Sequence, residues 1–334
     1  METRINKVAF EDIVEARARI LSHVFATPLV TSPTLSNICG VAVSLKLEHY
    51  QATGSFKLRG ATNAILQLSA AGLEKGVVAA STGNHGRALA YAARAAGSRA
   101  TICMSRLVPE NKVAEIRRLG AEVRIIGNSH DDAQAEADRI SEQQGLTAVP
   151  PFDHPHVVAG QGTIGIEIVE AMPSVTTIVV PLSGGGLIAG VAAAAKALRP
   201  RVKVIGVSMH RGAAMKASLD AGRPVLVEEF ASLADSLGGG IGLDNGLTFS
   251  MCRDLLDGVV LLTESEIADG MRHAYAHERE ILEGSGAVGI AALLARKIPD
   301  LVGPLAVVLS GRNIDMELHR RVMNGERDPF GGDV

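Results

Sequence analysis

Thr176-Thr177-Ile178-Val179-Val180-Pro181-Leu182-Ser183-Gly184-Gly185-Gly186-Leu187 leads into Ile188-Ala189-Gly190-Val191-Ala192-Ala193-Ala194-Ala195, and no charged residue lies between Val175 and Ala195. So apolar a run has two readings, a membrane span or a buried strand–turn–helix unit. Pro181 and the glycine turn fall in its middle. A break there would leave backbone N–H and C=O groups unsatisfied in hydrocarbon. We therefore read a buried strand over Thr176–Leu182, a glycine turn, and a buried helix over Leu187–Leu198. That unit makes the chain an α/β protein.

The same alternation extends outward in both directions. Val41–Leu47, Gly76–Ala80, Ala100–Met104, Glu122–Ile126, Val202–Val207 and Leu305–Leu309 are short apolar runs with β-branched residues, the pattern of strands. Arg87–Ala96, Asn111–Leu119, Asp131–Gln144, Gly162–Met172 and Glu264–Glu280 read as helices. Strands alternating with helices imply parallel sheets covered by helices. Pro150-Pro151 interrupts the pattern, and the tail from Phe330 to Val334 reads as frayed. At 334 residues the chain is long for one core, so two domains are expected.

Composition narrows the function classes. A 47% hydrophobic and 21% charged chain is that of a packed globular protein. Net charge is −3, aromatics are 3% and Trp is absent, so the basic, aromatic face of a nucleic-acid binder is not expected. The N-terminus has no apolar signal segment, and Cys39, Cys103 and Cys252 are scattered, which fits a reducing cytoplasm. His154-Pro155-His156 is the one tight His pair; it reads as a Pro-rich loop, and no metal is expected there.

Four loops carry chemistry. Lys57 lies in Thr53-Gly54-Ser55-Phe56-Lys57-Leu58-Arg59-Gly60-Ala61, where a desolvated amine could bond an aldehyde cofactor; the plain alternative is a basic helix face. Ser183–Leu187 joins a strand to a helix, so its amides could cradle a phosphate, or simply make a tight turn. Gly184, Gly186 and Ala189 also satisfy a dinucleotide fingerprint, but no acidic residue occurs between Val191 and Leu219 to hold a ribose. A single phosphate fits better. Ser81-Thr82-Gly83-Asn84-His85-Gly86 follows another strand and could grip a carboxylate, or cap the next helix. Ser310-Gly311-Arg312-Asn313 places a hydroxyl at a further strand end.

With Lys46-Leu47-Glu48 and Ala159-Gly160-Gln161-Gly162-Thr163, these loops resemble the pyridoxal phosphate (PLP) enzymes of the tryptophan-synthase β-subunit fold, fold type II. Within them the chain is similar to the threonine/serine dehydratases and serine racemases, from about Ile13 to Asp315. The resemblance implies that Lys57 bonds the cofactor and moves the substrate Cα proton. It implies that Gly184, Gly185, Gly186 and Leu187 hold the phosphate, Asn84 meets the phenolic oxygen, and Ser310 faces the pyridine nitrogen. Ser81, Thr82, Asn84 and His85 would grip the substrate carboxylate. A discontinuous large domain, residues 1–50 and 150–320, and a small domain, 51–149, would enclose the site, in a homodimer.

The activity so implied is loss of a β-hydroxyl from threonine or serine, giving ammonia and a 2-oxo acid. The alternatives are an amino acid racemase and a non-catalytic binding protein on the same fold. Retention of Lys57 argues against a pure binder. Thr82 stands where racemases use serine. Arg312 would add a cation near the cofactor, and Glu283-Gly284 replaces the Glu-Pro of many relatives. Val207–Ala214 lacks the carboxylate with which relatives bind a cation. This pattern is similar to the dehydratases of hydroxyectoine utilisation, which implies a substrate derived from that solute.

Overall fold

The computed structural model describes residues 7–81, 83–108 and 110–331. Ten strands form two sheets: β1 (Leu29–Thr31), β2 (Val43–Lys46), β3 (Val77–Ala80), β4 (Ala100–Met104), β5 (Glu122–Ile125), β6 (Thr147–Ala148), β7 (Thr177–Pro181), β8 (Lys203–Met209), β9 (Gly258–Leu262) and β10 (Leu305–Val308). The larger sheet runs β1-β2-β10-β7-β8-β9 and the smaller β5-β4-β3-β6. β1 pairs antiparallel with β2. The remaining ladders are parallel. The mixed and parallel sheets of the α/β expectation are thus present.

Period-two alternation explains why the larger sheet is buried on both faces. Ile178, Val180, Val204, Ala306 and Val308 enter one core. Val179, Ile205, Val207, Leu305 and Val307 enter the core on the other side. A parallel sheet with helices on each face needs such near-continuous apolar runs. The smaller sheet has its own core, in which Val77, Ala79, Ile102 and Met104 pack with Leu58, Ile65, Leu89 and Ile116.

The helix Pro155–Ala171 is the spine of the molecule. On one side it crosses Lys57–Leu66 where two glycines meet: a Cβ on Gly160 would lie 2.7 Å from the Gly60 Cα and 2.7 Å from the Arg59 carbonyl. On the other side it crosses Gly186–Leu198, where a Cβ on Gly190 would lie 2.7 Å from the Gly162 nitrogen. Only hydrogen at these positions allows both crossings. The helix that begins at Lys57 and the helix that begins at the glycine turn are therefore referenced to one rigid element.

Several boundaries depart from the sequence reading. The spine starts at Pro155, not Gly162, with His154 as its N-cap. The His154-Pro155-His156 segment is thus a helix start; proline suits the first helical position because its missing N–H has no partner there anyway. Asn84, His85 and Gly86 already belong to the helix Asn84–Ala95 rather than to a loop. The helix from Glu264 is regular only to His273, then widens into a π-turn over Ala274–Glu278 and ends at Arg279 with φ 60°. No helix among the described residues is long and apolar enough to cross a membrane.

Candidate active site

Lys57 opens the helix Lys57–Leu66, and its approach is fixed by the turn after β10. Ser55 bridges Gly311, and the Phe56 N–H donates to the Ser310 carbonyl at 3.0 Å. The Lys57 amine donates to the Pro151 carbonyl at 2.7 Å. Protein atoms crowd the amine, and that desolvation pushes its pKa down to about 8. An amine so placed is available as a nucleophile and a base near neutral pH.

Beneath it lies a buried ion network. Arg59 donates to both oxygens of Glu48 at 2.8 Å and to Glu167 at 2.6 and 2.8 Å. Lys46 also pairs with Glu167. Burial opposes the charge of Glu48, yet the Arg59 and Lys46 cations hold its carboxyl below the ordinary range. The network ties the Lys57 helix to the end of β2 and to the spine. This is the structural use of Lys46-Leu47-Glu48 and Arg59.

The glycine turn is a cradle with no room for side chains. Gly185 has φ 88° and N-caps the helix Gly186–Leu198. A Cβ on Gly184 would run into the Phe152 ring, and one on Gly185 would lie 2.8 Å from the Cys252 sulfur. The segment Pro151-Phe152 therefore touches both the Lys57 amine and the glycine turn, which brings these two sequence-distant features together. Backbone amides at such a helix start suit a phosphate.

Asn84 is tied to the turn that carries Ser310 through Asn313. The Asn84 amide donates to Glu283 at 2.7 Å and accepts from the Asn313 side chain at 2.5 Å. Asn313 reaches the Lys57 loop through the Thr53 carbonyl at 2.8 Å. The Ser310 hydroxyl donates to the Ser285 carbonyl at 3.3 Å. His85 is paired with the Val149 carbonyl at 2.7 Å, and burial together with the Lys57 charge pushes it down to about 3, so it is neutral. Ser81 accepts from the Gly86 N–H at 3.1 Å, which is a helix-capping bond. Thr82 lies outside the described residues.

Two residues differ from expectation. Arg312 is exposed and lines a surface cavity of about 570 Å³ with His49, Tyr50, Arg279 and Glu280; Lys57, Asn84 and Ser310 do not line it. Its backbone N–H bonds the Gly54 carbonyl, which turns the side chain away toward that cavity. Glu283, noted in the sequence only as half of a dipeptide, is buried and bonded directly to Asn84. Its sequence signal was an acid placed just before a helix with no charged residue. Among the described residues no group of three or more His, Cys, Asp or Glu could hold a metal ion.

The chain matches the family of pyridoxal-phosphate dependent enzymes over residues 20–311 and belongs to it. It is 67% identical to a threonine dehydratase-type protein of Sinorhizobium fredii, over 96% of this chain and 97% of that one. It is 44% identical to the L-threonine ammonia-lyase of Thermotoga maritima, over 95% of this chain and 78% of the relative. The fold is similar to that of maize serine racemase, with a TM-score of 0.90 and 32% identity over 95% of this chain and 97% of that structure. The cofactor is pyridoxal phosphate, and the residues present fit it. The amine is desolvated, the glycine cradle would be filled by any Cβ, and the buried hydroxyls of Thr53, Ser55 and Ser285, beside Lys57 and Ser310, have no hydrogen-bond partner.

Proposed function

We propose that this enzyme eliminates the β-hydroxyl of a hydroxy amino acid, L-threonine or L-serine, and releases ammonia and a 2-oxo acid. The observation that carries the reading is the 44% identity to an L-threonine ammonia-lyase across 95% of the chain. When bound, PLP supplies an electron sink that makes the substrate Cα–H acidic. The chain supplies position and protons. Lys57 attaches the cofactor and, once displaced by substrate, takes the Cα proton with its lowered-pKa amine. The amides of Gly184, Gly185, Gly186 and Leu187 hold the phosphate, and Asn84 meets the phenolic oxygen.

Ser310 faces the pyridine nitrogen. Being neutral, it would hold that nitrogen without supplying the proton that an acidic side chain would. Ser81, Thr82, Asn84 and His85 grip the substrate carboxylate. Residues 1–50 with 150–320, and residues 51–149, act as two domains that close over the amino acid, in a homodimer. Closure of this kind excludes water.

A racemase is the second reading, favoured by the likeness to maize serine racemase. Threonine at position 82, where racemases use serine, weighs against it. The test is a screen of the purified, PLP-loaded protein on threonine, serine and hydroxyectoine-derived amino acids. Ammonia with a 2-oxo acid supports the lyase, and a D-amino acid without ammonia overturns it.

A further inference from the structure

Glu283 sits where three loops converge. It is 3% exposed and N-caps the helix Gly284–Leu294. One carboxyl oxygen accepts from the Asn84 side-chain nitrogen at 2.7 Å; the other accepts from the Asn313 backbone N–H at 3.0 Å. Gly311 rests directly on it, since a Cβ there would collide with the Glu283 carboxyl.

Gly284 explains how the carboxyl is sealed from water. A Cβ at that position would overlap the Leu233 carbonyl, and 3.0 Å away is the Ala234 nitrogen. The missing side chain lets the 233–236 segment close over the pair, bringing the Ser236 hydroxyl to 3.5 Å from the Asn84 amide. The Glu-Gly dipeptide is thus a matched unit: glycine admits the covering segment, and the acid beneath it holds Asn84.

We propose that Glu283 is a positioning residue for this site: its carboxylate clamps the Asn84 amide and the Asn313 backbone and so sets how Asn84 faces the cleft. An ionised carboxylate only accepts, and here it serves two N–H donors. One amide hydrogen of Asn84 is committed to Glu283, and the other meets only the long 3.5 Å contact to the Ser236 hydroxyl, which a cofactor oxygen would replace. The inference rests on reading Asn84 as a cofactor contact.

The charges around Glu283 come from three elements. Asp235 lies on the covering segment, Lys112 on the helix Glu110–Arg118, and Arg87 on the helix that carries Asn84. Burial, and then Asp235, push the carboxyl up to about 7. Protonation would turn one oxygen into a donor facing an N–H, and the clamp would loosen as pH falls below that value.

The test compares PLP-loaded wild type with Glu283→Gln and with Glu283→Asp. The two donors meet different oxygens of Glu283, so glutamine would turn its NH2 against one of them. The absorption spectrum of the bound cofactor is recorded from about pH 5.5 to 9, without substrate, alongside kcat, KM and melting temperature. A spectral transition near pH 7 is expected in wild type and its loss in Glu283→Gln. In the same variant kcat should fall by about tenfold with less change in KM, and Glu283→Asp should partly restore it. The loss should also be non-additive with Asn84→Ala.

The inference is overturned if the wild-type spectrum is flat across that range, or if Glu283→Gln lowers only the melting temperature. Should Glu283→Gln fail to fold, the wild-type titration and Glu283→Asp still decide it. Absence of ammonia release from wild type would sink the lyase reading instead, while the spectral comparison would stand on its own.

Discussion

At the scale of the single residue, burial sets the chemistry of Lys57 and Glu283. The Lys57 amine is pushed down to about 8 by desolvation. Its neutral fraction therefore rises about tenfold between pH 7 and 9 and then levels off, whereas an ordinary lysine would gain about a hundredfold with no plateau. The rate at which apo protein takes up PLP, followed by absorbance, should trace the shallower curve. Lys57→Ala should leave no cofactor fixed to the chain after borohydride treatment. For Glu283 the folded pKa, about 7, lies above the unfolded value of 4.5. The folded state then binds the proton more tightly, so this contribution to stability is complete below pH 4.5 and is lost as pH rises through 7. Glu283→Gln should remove that dependence, a difference of up to about 3 kcal/mol between pH 4 and 8 in urea unfolding.

At the scale of the element, the crossings of the spine are the sensitive points. Ala at Gly190 would press on backbone atoms of Val158 and Gly162, which have no flexible end to yield. Overpacking there should cost about 2 kcal/mol, although alanine is otherwise the better helix former. Gly240→Ala, with nothing within 4 Å of the new Cβ, is the matched control and should be close to neutral. Arg59→Met should cost more, about 3–5 kcal/mol, because it leaves Glu48 buried without its main partner. Chemical denaturation checks each of these. Since Arg59 lies two residues beyond Lys57 on the same helix, PLP affinity should fall along with stability.

Across the whole molecule, the C-terminal tail is tied to the end of the larger sheet. Arg211, at the end of β8, pairs with Asp328 of the tail at 2.8 Å. The stretch where relatives place a cation-binding carboxylate thus carries an arginine that is paired with an acid. Activity should persist in excess chelator; full loss that magnesium restores would contradict this.

Seven of the ten strands were legible because apolar, β-branched runs report burial locally; β1, β6 and β9 were not. The Lys57, Asn84, glycine-turn and Ser310 segments stood out because each follows or precedes such a run. Glu283, Phe152 and the Arg59 network were not legible as parts of one site. Their roles depend on which distant backbone they meet, and 199 positions separate Asn84 from Glu283. The start of the spine at Pro155 is illegible in the sequence for a related reason. Proline reads as a breaker until the capping geometry of His154 is known.

By itself, the sequence determined the α/β class and most of the strands, and it singled out Lys57 as a candidate, because periodicity and glycine turns are properties of neighbouring residues. Tertiary structure alone decided that Gly60, Gly160, Gly162 and Gly190 join three helices into one frame. It also turned Arg312 outward and set Glu283 against Asn84. Those outcomes come from close approach between segments far apart in the chain, where a missing methyl group or a shared acceptor settles the arrangement, and no local pattern encodes such a meeting.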